Sequence, residues 1–396
     1  MVRSEELELR SALDHLTSWP RSSASDGERR AAEWIAERLT ELGCVATVEE
    51  ERAYGAYWWS LAALSGLGAV SALVALRGRR LLGLIGGAVA AAGLVDEATA
   101  GPYVFRRLFL RRRPTWNVVS EAGDRDGAQT LVVLAHHDAA HSGLLFHPAV
   151  PKWLYEHFPE RVEKTDESLP YWLPVVAAPA LVAAGALIGR ALGRAVTRAG
   201  LALAAINAAM ALDIARRGVV PGANDNLSGV AVLLSVARRL REEPVKGVRV
   251  LLVSCGSEES LQEGILALAA RHFDELPRDT RFLVVDTVGS PELLMIEAEG
   301  TLVVRDYSPE WNELIASVAA EQRISLRRGA RLRASTDACI PRRHGFRTAL
   351  LGSINKYKAA SNYHWPTDTA ENVDYGTVTS CAALTDAVIR RLARTG

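Results

Sequence analysis

Residues 131–138 read Leu-Val-Val-Leu-Ala-His136-His137-Asp138, five apolar residues that run straight into two histidines and a carboxylate. A short unbroken apolar run is how a strand buried on both faces reads. Three more runs share the pattern, at 248–254, 282–285 and 349–354, and the first two of these also end on metal-competent groups, at Cys255-Gly-Ser-Glu258-Glu259 and at Asp286. Ligands gather at the carboxyl ends of the strands in an open α/β sheet. The stretch around 26–42 has apolar residues at Ala31, Ala32, Ile35, Ala36, Leu39 and Leu42, acidic residues early and Gly43 beyond, which predicts a helix, with a strand at 45–50 after it. The fold class expected is therefore α/β, an open and mostly parallel sheet flanked by helices.

Two regions interrupt that pattern. Residues 56–76 and 168–189 carry no charge and are long enough to cross a bilayer core of about 30 Å at roughly 1.5 Å per residue. Shorter apolar partners follow at 81–95 and 199–212, the first after Arg77, Arg79 and Arg80, the second after Arg190, Arg194 and Arg198. Aromatic clusters, Tyr57-Trp58-Trp59 and Tyr171-Trp172, stand where interfacial belts stand. We read two inserted transmembrane-type helical hairpins, each turning through arginines, and divide the chain as 1–53, 106–167 and 218–396 for the catalytic domain, with hairpins at 54–105 and 168–217. An even number of spans in each hairpin keeps all catalytic pieces on one membrane side. The alternative is a set of soluble helices covering each other or a second copy, which leaves room for a homo-oligomer.

The 396 residues balance 46 basic against 46 acidic groups, so no global field draws nucleic acid, which is excluded as a partner. Four scattered cysteines, Cys44, Cys255, Cys339 and Cys381, read as free thiols. The opening residues are too charged for the apolar core of a secretory signal. The expected location is a bacterial-type cell membrane with the catalytic domain facing the cytoplasm.

The candidate site residues follow from where the runs end. His136 and Asp138 leave their strand on one side, because strand side chains alternate, so Asp138 can orient a metal-binding His136. Asp225, in Pro-Gly-Ala-Asn-Asp225-Asn, precedes the apolar helical run at 230–240. Glu258 and Glu259 diverge, one toward a metal and one toward the attacking water. Asp286 directly after four apolar residues is costly to bury unless it is paired or metal-bound. His364 lies in an aromatic turn, Tyr363-His364-Trp365-Pro366.

Taken together, the motifs AHHDAA, GANDNLSG, CGSEES, VVDTVG and NYHWPTDT resemble the co-catalytic di-zinc exopeptidases that include bacterial leucyl aminopeptidase. The resemblance implies a zinc aminopeptidase-like fold and two Zn²⁺ ions. Asp225 would bridge them, with His136 and Asp286 completing one site and Glu259 and His364 the other. Glu258 would be the general base acting on a bridging water, Asp138 the catalytic partner of His136, and Asp337 a further supporting carboxylate. Relatives of this kind also imply a cis peptide bond between Asp225 and Asn226. Residues 331–335 contain no tyrosine where many relatives carry one to hold the oxyanion; Tyr357 and Tyr363 are the substitutes in reach. His137, His141 and His147 have no matching role. The function expected is hydrolysis of N-terminal residues from peptides with a free N-terminus. The rivals are a single-zinc glutaminyl cyclase and a non-catalytic membrane scaffold of the same fold.

Overall fold

The computed structural model describes residues 2–395. Among them, nine strands form one sheet: β1 (Val45–Ala53), β2 (Arg113–Gly123), β3 (Gln129–His136), β4 (Val248–Cys255), β5 (Arg281–Val285), β6 (Glu292–Glu299), β7 (Arg305–Asp306), β8 (Arg327–Leu332) and β9 (Arg347–Ile354). Their order is β1-β2-β4-β3-β5-β9-β6-β7, with β8 paired to β6. The four apolar runs are the neighbours β4, β3, β5 and β9, all parallel. Antiparallel pairs flank them on both sides. Neighbouring parallel strands point the same way, so the carboxyl ends of β3, β4 and β5 lie side by side and bring His136, Cys255 and Asp286 to one edge.

The helices are α1 (Val2–Leu16), α2 (Asp26–Glu41), α3 (Tyr57–Leu76), α4 (Arg80–Ala98), α5 (Val104–Phe109), α6 (Ala149–His157), α7 (Pro159–Lys164), α8 (Trp172–Ile188), α9 (Arg190–Arg216), α10 (Ser228–Glu242), α11 (Glu263–His272), α12 (Pro309–Glu321), α13 (Cys339–Arg343) and α14 (Tyr375–Thr395). Alternation along β3 divides the core. Leu131, Val133 and Ala135 face α1, α2, α10, α12 and α14, while Val132 and Leu134 face α11 and α13. Local chemistry sets the boundaries: Ser25 caps α2 by accepting from the Glu28 N–H, and Pro309 opens α12 after Ser308.

The hydrophobic insertions form four helices, and α3, α4, α8 and α9 pack around one another as a single bundle. Gly87 lets α4 and α8 close up, since a Cβ there would meet the Ala183 backbone at 2.9 Å. By length and composition α3, α4 and α9 can each cross a membrane; α8 is shorter, at 17 residues. The outer surface stays apolar and open, with Val70, Leu81, Leu82, Ile85 and Leu173 all more than half exposed.

Two details of the hairpins differ from the sequence reading. The second hairpin turns through one arginine rather than three: Gly189 and Arg190 both have positive φ, 62° and 54°, while Arg194 and Arg198 lie inside α9. A left-handed residue between two helices is easiest for glycine, and Arg194 and Arg198, as good helix formers, simply continue the helix. The apolar stretch at 168–189 also yields a helix only from Trp172. Ser168 instead donates its N–H to the Arg331 carbonyl (3.0 Å) and so belongs to the α/β domain.

Candidate metal centre and active site

Five of the segments named above meet at the carboxyl edge of the sheet. His136 ends β3, and Asp286 follows β5. Glu258 and Glu259 sit in the loop between β4 and α11, Asp225 in an irregular turn before α10, and His364 in the loop before α14. The Asp225–Asn226 peptide bond is cis. Asp225 is central: its Oδ1 lies 3.3 Å from His136 Nε2 and its Oδ2 3.0 Å from His364 Nε2. Glu259 Oε2 is 3.2 Å from His364 Nε2, and Asp286 Oδ2 is 4.0 Å from His136 Nε2. Three groups of potential ligand atoms result: His136 with Asp225 and Asp286, Asp225 with Glu259 and His364, and His136 with Glu258 and Glu259.

These separations fit zinc. Ligands about 2.0–2.2 Å from a tetrahedral ion stand roughly 3.3–3.5 Å from one another, and the nitrogen and oxygen donors are those zinc takes. Glu259 Oε1 is buried without a hydrogen-bond partner, and among the described residues these carboxylates pair with histidines and with no lysine or arginine. The buried carboxylates thus face a place for a cation.

Electrostatics agree. Burial alone works against a charged His136, but Asp138 and Asp225, with Glu258 and Asp286, outweigh it and raise its pKa well above the ordinary value. His364 is likewise buried, and Glu259 and Asp225 lift it to about 10. Burial raises Glu258 well above the usual carboxylate range and Glu259 to about 7, the imidazoles opposing in each case. Burial also pushes Asp286 and Asp337 up. Asp225 runs the other way: despite burial, the two histidines hold it low.

Asp138 stands 3.4 Å from His136 Nδ1 and also organises the glutamate loop. Its two oxygens accept from the backbone N–H groups of Glu258 (3.0 Å) and Glu259 (3.1 Å), while Ser23 Oγ donates to it at 2.7 Å. Glu258 Oε1 accepts from Gln262 Nε2 (3.0 Å), leaving Oε2 turned to the cluster, 3.9 Å from His136. Asp337 is buried nearby with neither oxygen hydrogen-bonded. His137, His141 and His147 join none of the ligand groups; His137 is buried against Ser254 Oγ (2.9 Å), and burial takes it down to about 3. Tyr363 stacks on His364 at 3.9 Å between ring centres, beneath Phe146, whereas Tyr357 packs on Tyr155 of α6.

Several supporting residues escaped the sequence reading. Asp368 accepts from the N–H groups of Asn224 (2.7 Å) and Asp225 (3.1 Å), clamping the ligand turn; its signal was a place four residues after His364. Thr287 Oγ1 donates to Asp286 (2.7 Å). Buried Arg21 donates to the carbonyls of His137 and Pro221, tying two ligand loops together. Glu28 accepts from Thr115 Oγ1 and from Ala24, Trp116 and Ser257. Neither has a local signal, since each acts on segments far away in sequence.

The glutamate loop is also fastened to the first hydrophobic hairpin. Arg106, in α5 and fully buried, pairs with Glu97 (2.7 Å) and Glu263 (3.3 Å) and donates to the Ser260 carbonyl (2.6 Å). Glu263 in turn accepts from the Tyr54 and Gly55 N–H groups, both at 2.8 Å, at the entrance to α3. The Tyr103 hydroxyl donates to the Leu261 carbonyl.

Residues 211–389 match peptidase family M28. Over these residues the chain is similar to that family. The match includes Asp225, Glu258, Glu259, Asp286 and His364; His136 and Asp138 lie ahead of it and reach the same site through the sheet. No curated protein matches the chain. Among solved structures, the aminopeptidase from Aneurinibacillus sp. strain AM-1 is similar at 12% identity and TM-score 0.56, covering 98% of this chain and 93% of that one. BSAP, a zinc aminopeptidase from Bacillus subtilis, is similar at 13% identity and TM-score 0.55 over 98% and 94%. Bacteroides thetaiotaomicron glutaminyl cyclase is similar at 14% identity and TM-score 0.56 over 98% and 97%. Likenesses at this identity establish the shared fold.

Proposed function

We propose that this chain is a membrane-attached zinc aminopeptidase that uses two zinc ions in one site to release N-terminal residues from peptides. The observation that carries the reading is Asp225, whose two oxygens face different histidines and which belongs to two separate ligand groups. His136 and Asp286 would hold one zinc, Glu259 and His364 the other, with Asp225 between them. When bound, zinc polarises the scissile carbonyl and lowers the pKa of a water toward roughly 7. Glu258 takes the proton of the attacking water at Oε2 and delivers it to the leaving amine, while Gln262 holds Oε1 in place. Asp138 fixes His136 and, through two N–H groups, the backbone of both glutamates.

The test is metal content together with a panel of aminoacyl substrates. Two zinc ions per chain and release of N-terminal residues are expected. The likeness to a glutaminyl cyclase supports a second reading, a single-zinc cyclase. One zinc in the fully loaded protein and cyclisation of a Gln-initiated peptide would replace the first reading with the second.

Membrane attachment is supported by three helices of spanning length and by the apolar outer face of the bundle, which a water-soluble bundle would cover. We infer a catalytic domain on the cytoplasmic side, because lysines and arginines near span ends favour that side. The domain end of the bundle carries Arg107, Arg111, Arg112, Arg113, Lys152, Arg161, Lys164, Arg216 and Arg217, the far end six arginines. Arg106 leaves that count, being buried in ion pairs. The four cysteines are free and buried, as suits a reducing compartment. Protease added to intact spheroplasts should leave the domain uncut; its digestion without lysis reverses the orientation.

A further inference from the structure

The hairpin turns meet at the end of the bundle farthest from the catalytic site. An open cavity of ≈ 900 Å³ lies between them, lined by Arg77, Arg80, Arg190, Arg194, Arg198 and Thr197. No aspartate or glutamate lines it, and among the described residues none of these five arginines is in an ion pair. The nearest acidic residues of the same helices are Asp96, Glu97 and Asp213, more than about 20 Å away along the helix axes. Arg190, Arg194 and Arg198 recur every four residues and so share one stripe of α9, an arrangement that like charges disfavour. Five arginines around one cavity, with no acidic residue lining it, are complementary to an anion from outside the chain.

The cavity is also shaped in advance. Arg80 Nε donates to the Ala186 carbonyl and Nη2 to the Leu187 carbonyl, both at 2.9 Å, which locks one hairpin tip onto the other. Its guanidinium lies against Gly189, whose φ of 62° favours glycine at this turn. Both α4 and α9 begin here, and neither has a side-chain cap for its first N–H groups. The positive ends of two helix dipoles therefore add to the arginine charge. Around this polar cavity Leu81, Leu187, Ile188 and Leu192 are each at least half exposed.

We propose that this cavity binds a phosphate group, that of an anionic phospholipid in the leaflet at the hairpin tips. Guanidinium forks match phosphate oxygens in pairs, and the surrounding leucines suit the acyl chains of the same molecule, which a free phosphate lacks. The lipid source rests on the reading that the bundle spans a bilayer; the phosphate chemistry does not.

The experiment uses the full chain purified in mild detergent and reconstituted in nanodiscs of zwitterionic lipid with or without an anionic phospholipid. Native mass spectrometry reads the lipid retained by wild type and by the triple variant R190Q/R194Q/R198Q, with unchanged zinc content marking a folded variant. Wild type should retain anionic over zwitterionic lipid, and the variant should lose at least about tenfold of that preference. The charge-conserving R190K/R194K/R198K should keep most of it. In a second arm, inorganic phosphate is added to lipid-free protein in detergent and thermal unfolding is followed. Protection of wild type but not of the glutamine variant, without lipid preference, supports the site with a soluble phosphate as its source. Equal lipid retention by wild type and variant, with no effect of phosphate on either, overturns the proposal. Release of the chain from membranes by alkaline carbonate would break the membrane reading separately and leave the phosphate arm to decide the site.

Discussion

The molecule buries two clusters of charge about one loop, and they are built on opposite plans. At the base of the first hairpin, Arg106 faces Glu97 and Glu263, so positive and negative groups come from the chain itself, and backbone N–H groups complete the glutamate. At the carboxyl edge of the sheet, Asp225, Glu258, Glu259 and Asp286 crowd around two imidazoles with no arginine or lysine among them. The first cluster finds its counter-charges within the chain, although Glu97 Oε1 and Arg106 Nη2 keep no hydrogen-bond partner. The second is completed only by a cation from outside, and that incompleteness is what makes it a site.

Removing the cation should therefore have the largest effect. Chelation is expected to abolish activity, zinc to restore it, and saturating zinc at about 1,000 times its dissociation constant to add about 4 kcal/mol of stability. The zinc-free protein should also become sensitive to pH. Glu259 rises from 4.5 to about 7 on folding and His364 from 6.5 to about 10, so in both cases the folded state binds more protons than the unfolded one. Zinc-free stability should fall as pH rises from about 4.5 to about 10, and zinc should flatten the profile. Unfolding curves with and without chelator check this; a zinc-free protein as stable as the loaded one at neutral pH would erase the contrast.

Within the centre, Glu258→Gln should keep its zinc and lose roughly 10²–10⁴-fold in turnover, whereas Asp225→Ala should lose zinc more readily than any other single ligand change. Zinc analysis beside turnover separates the two; lost zinc in Glu258→Gln would give that residue a ligand role instead. In the first cluster, Arg106→Met leaves two buried glutamates uncompensated and should cost about 3–5 kcal/mol. Adding Glu97→Gln to it should recover part of that loss in denaturant unfolding. A cost near zero would mean that the two clusters are not built differently after all. The smallest effect belongs to Ser23→Ala, which removes one hydrogen bond to Asp138 and should cost about 1–2 kcal/mol with zinc still bound.

Much of this was legible in the residue order. His136, Glu258, Glu259 and Asp286 each follow a buried strand at once, so covalent connection alone carries them to the strand ends, and β3, β4, β5 and β9 appear where the apolar runs lie. The hairpins were legible for a similar reason: a long uncharged run has no other stable place than a helix against other apolar surface. The burial of Arg106 was not legible, because two of its three partners, Glu263 and Ser260, lie more than 150 positions away. Arg21 and Glu28 were missed on the same grounds, each joining segments over 80 positions apart.

The sequence by itself determined the elements and the identity of the groups that can hold metal, because strand formation, side-chain alternation and ligand chemistry are properties of short stretches. Only the tertiary structure decided which charges meet. It joined the two hairpins into one bundle, brought five arginines around a single cavity at its far end, and turned the two oxygens of Asp225 to histidines from opposite ends of the domain. Electrostatic pairing depends on distances of a few ångströms between residues remote along the chain, and those distances exist only once the sheet has set its strand order.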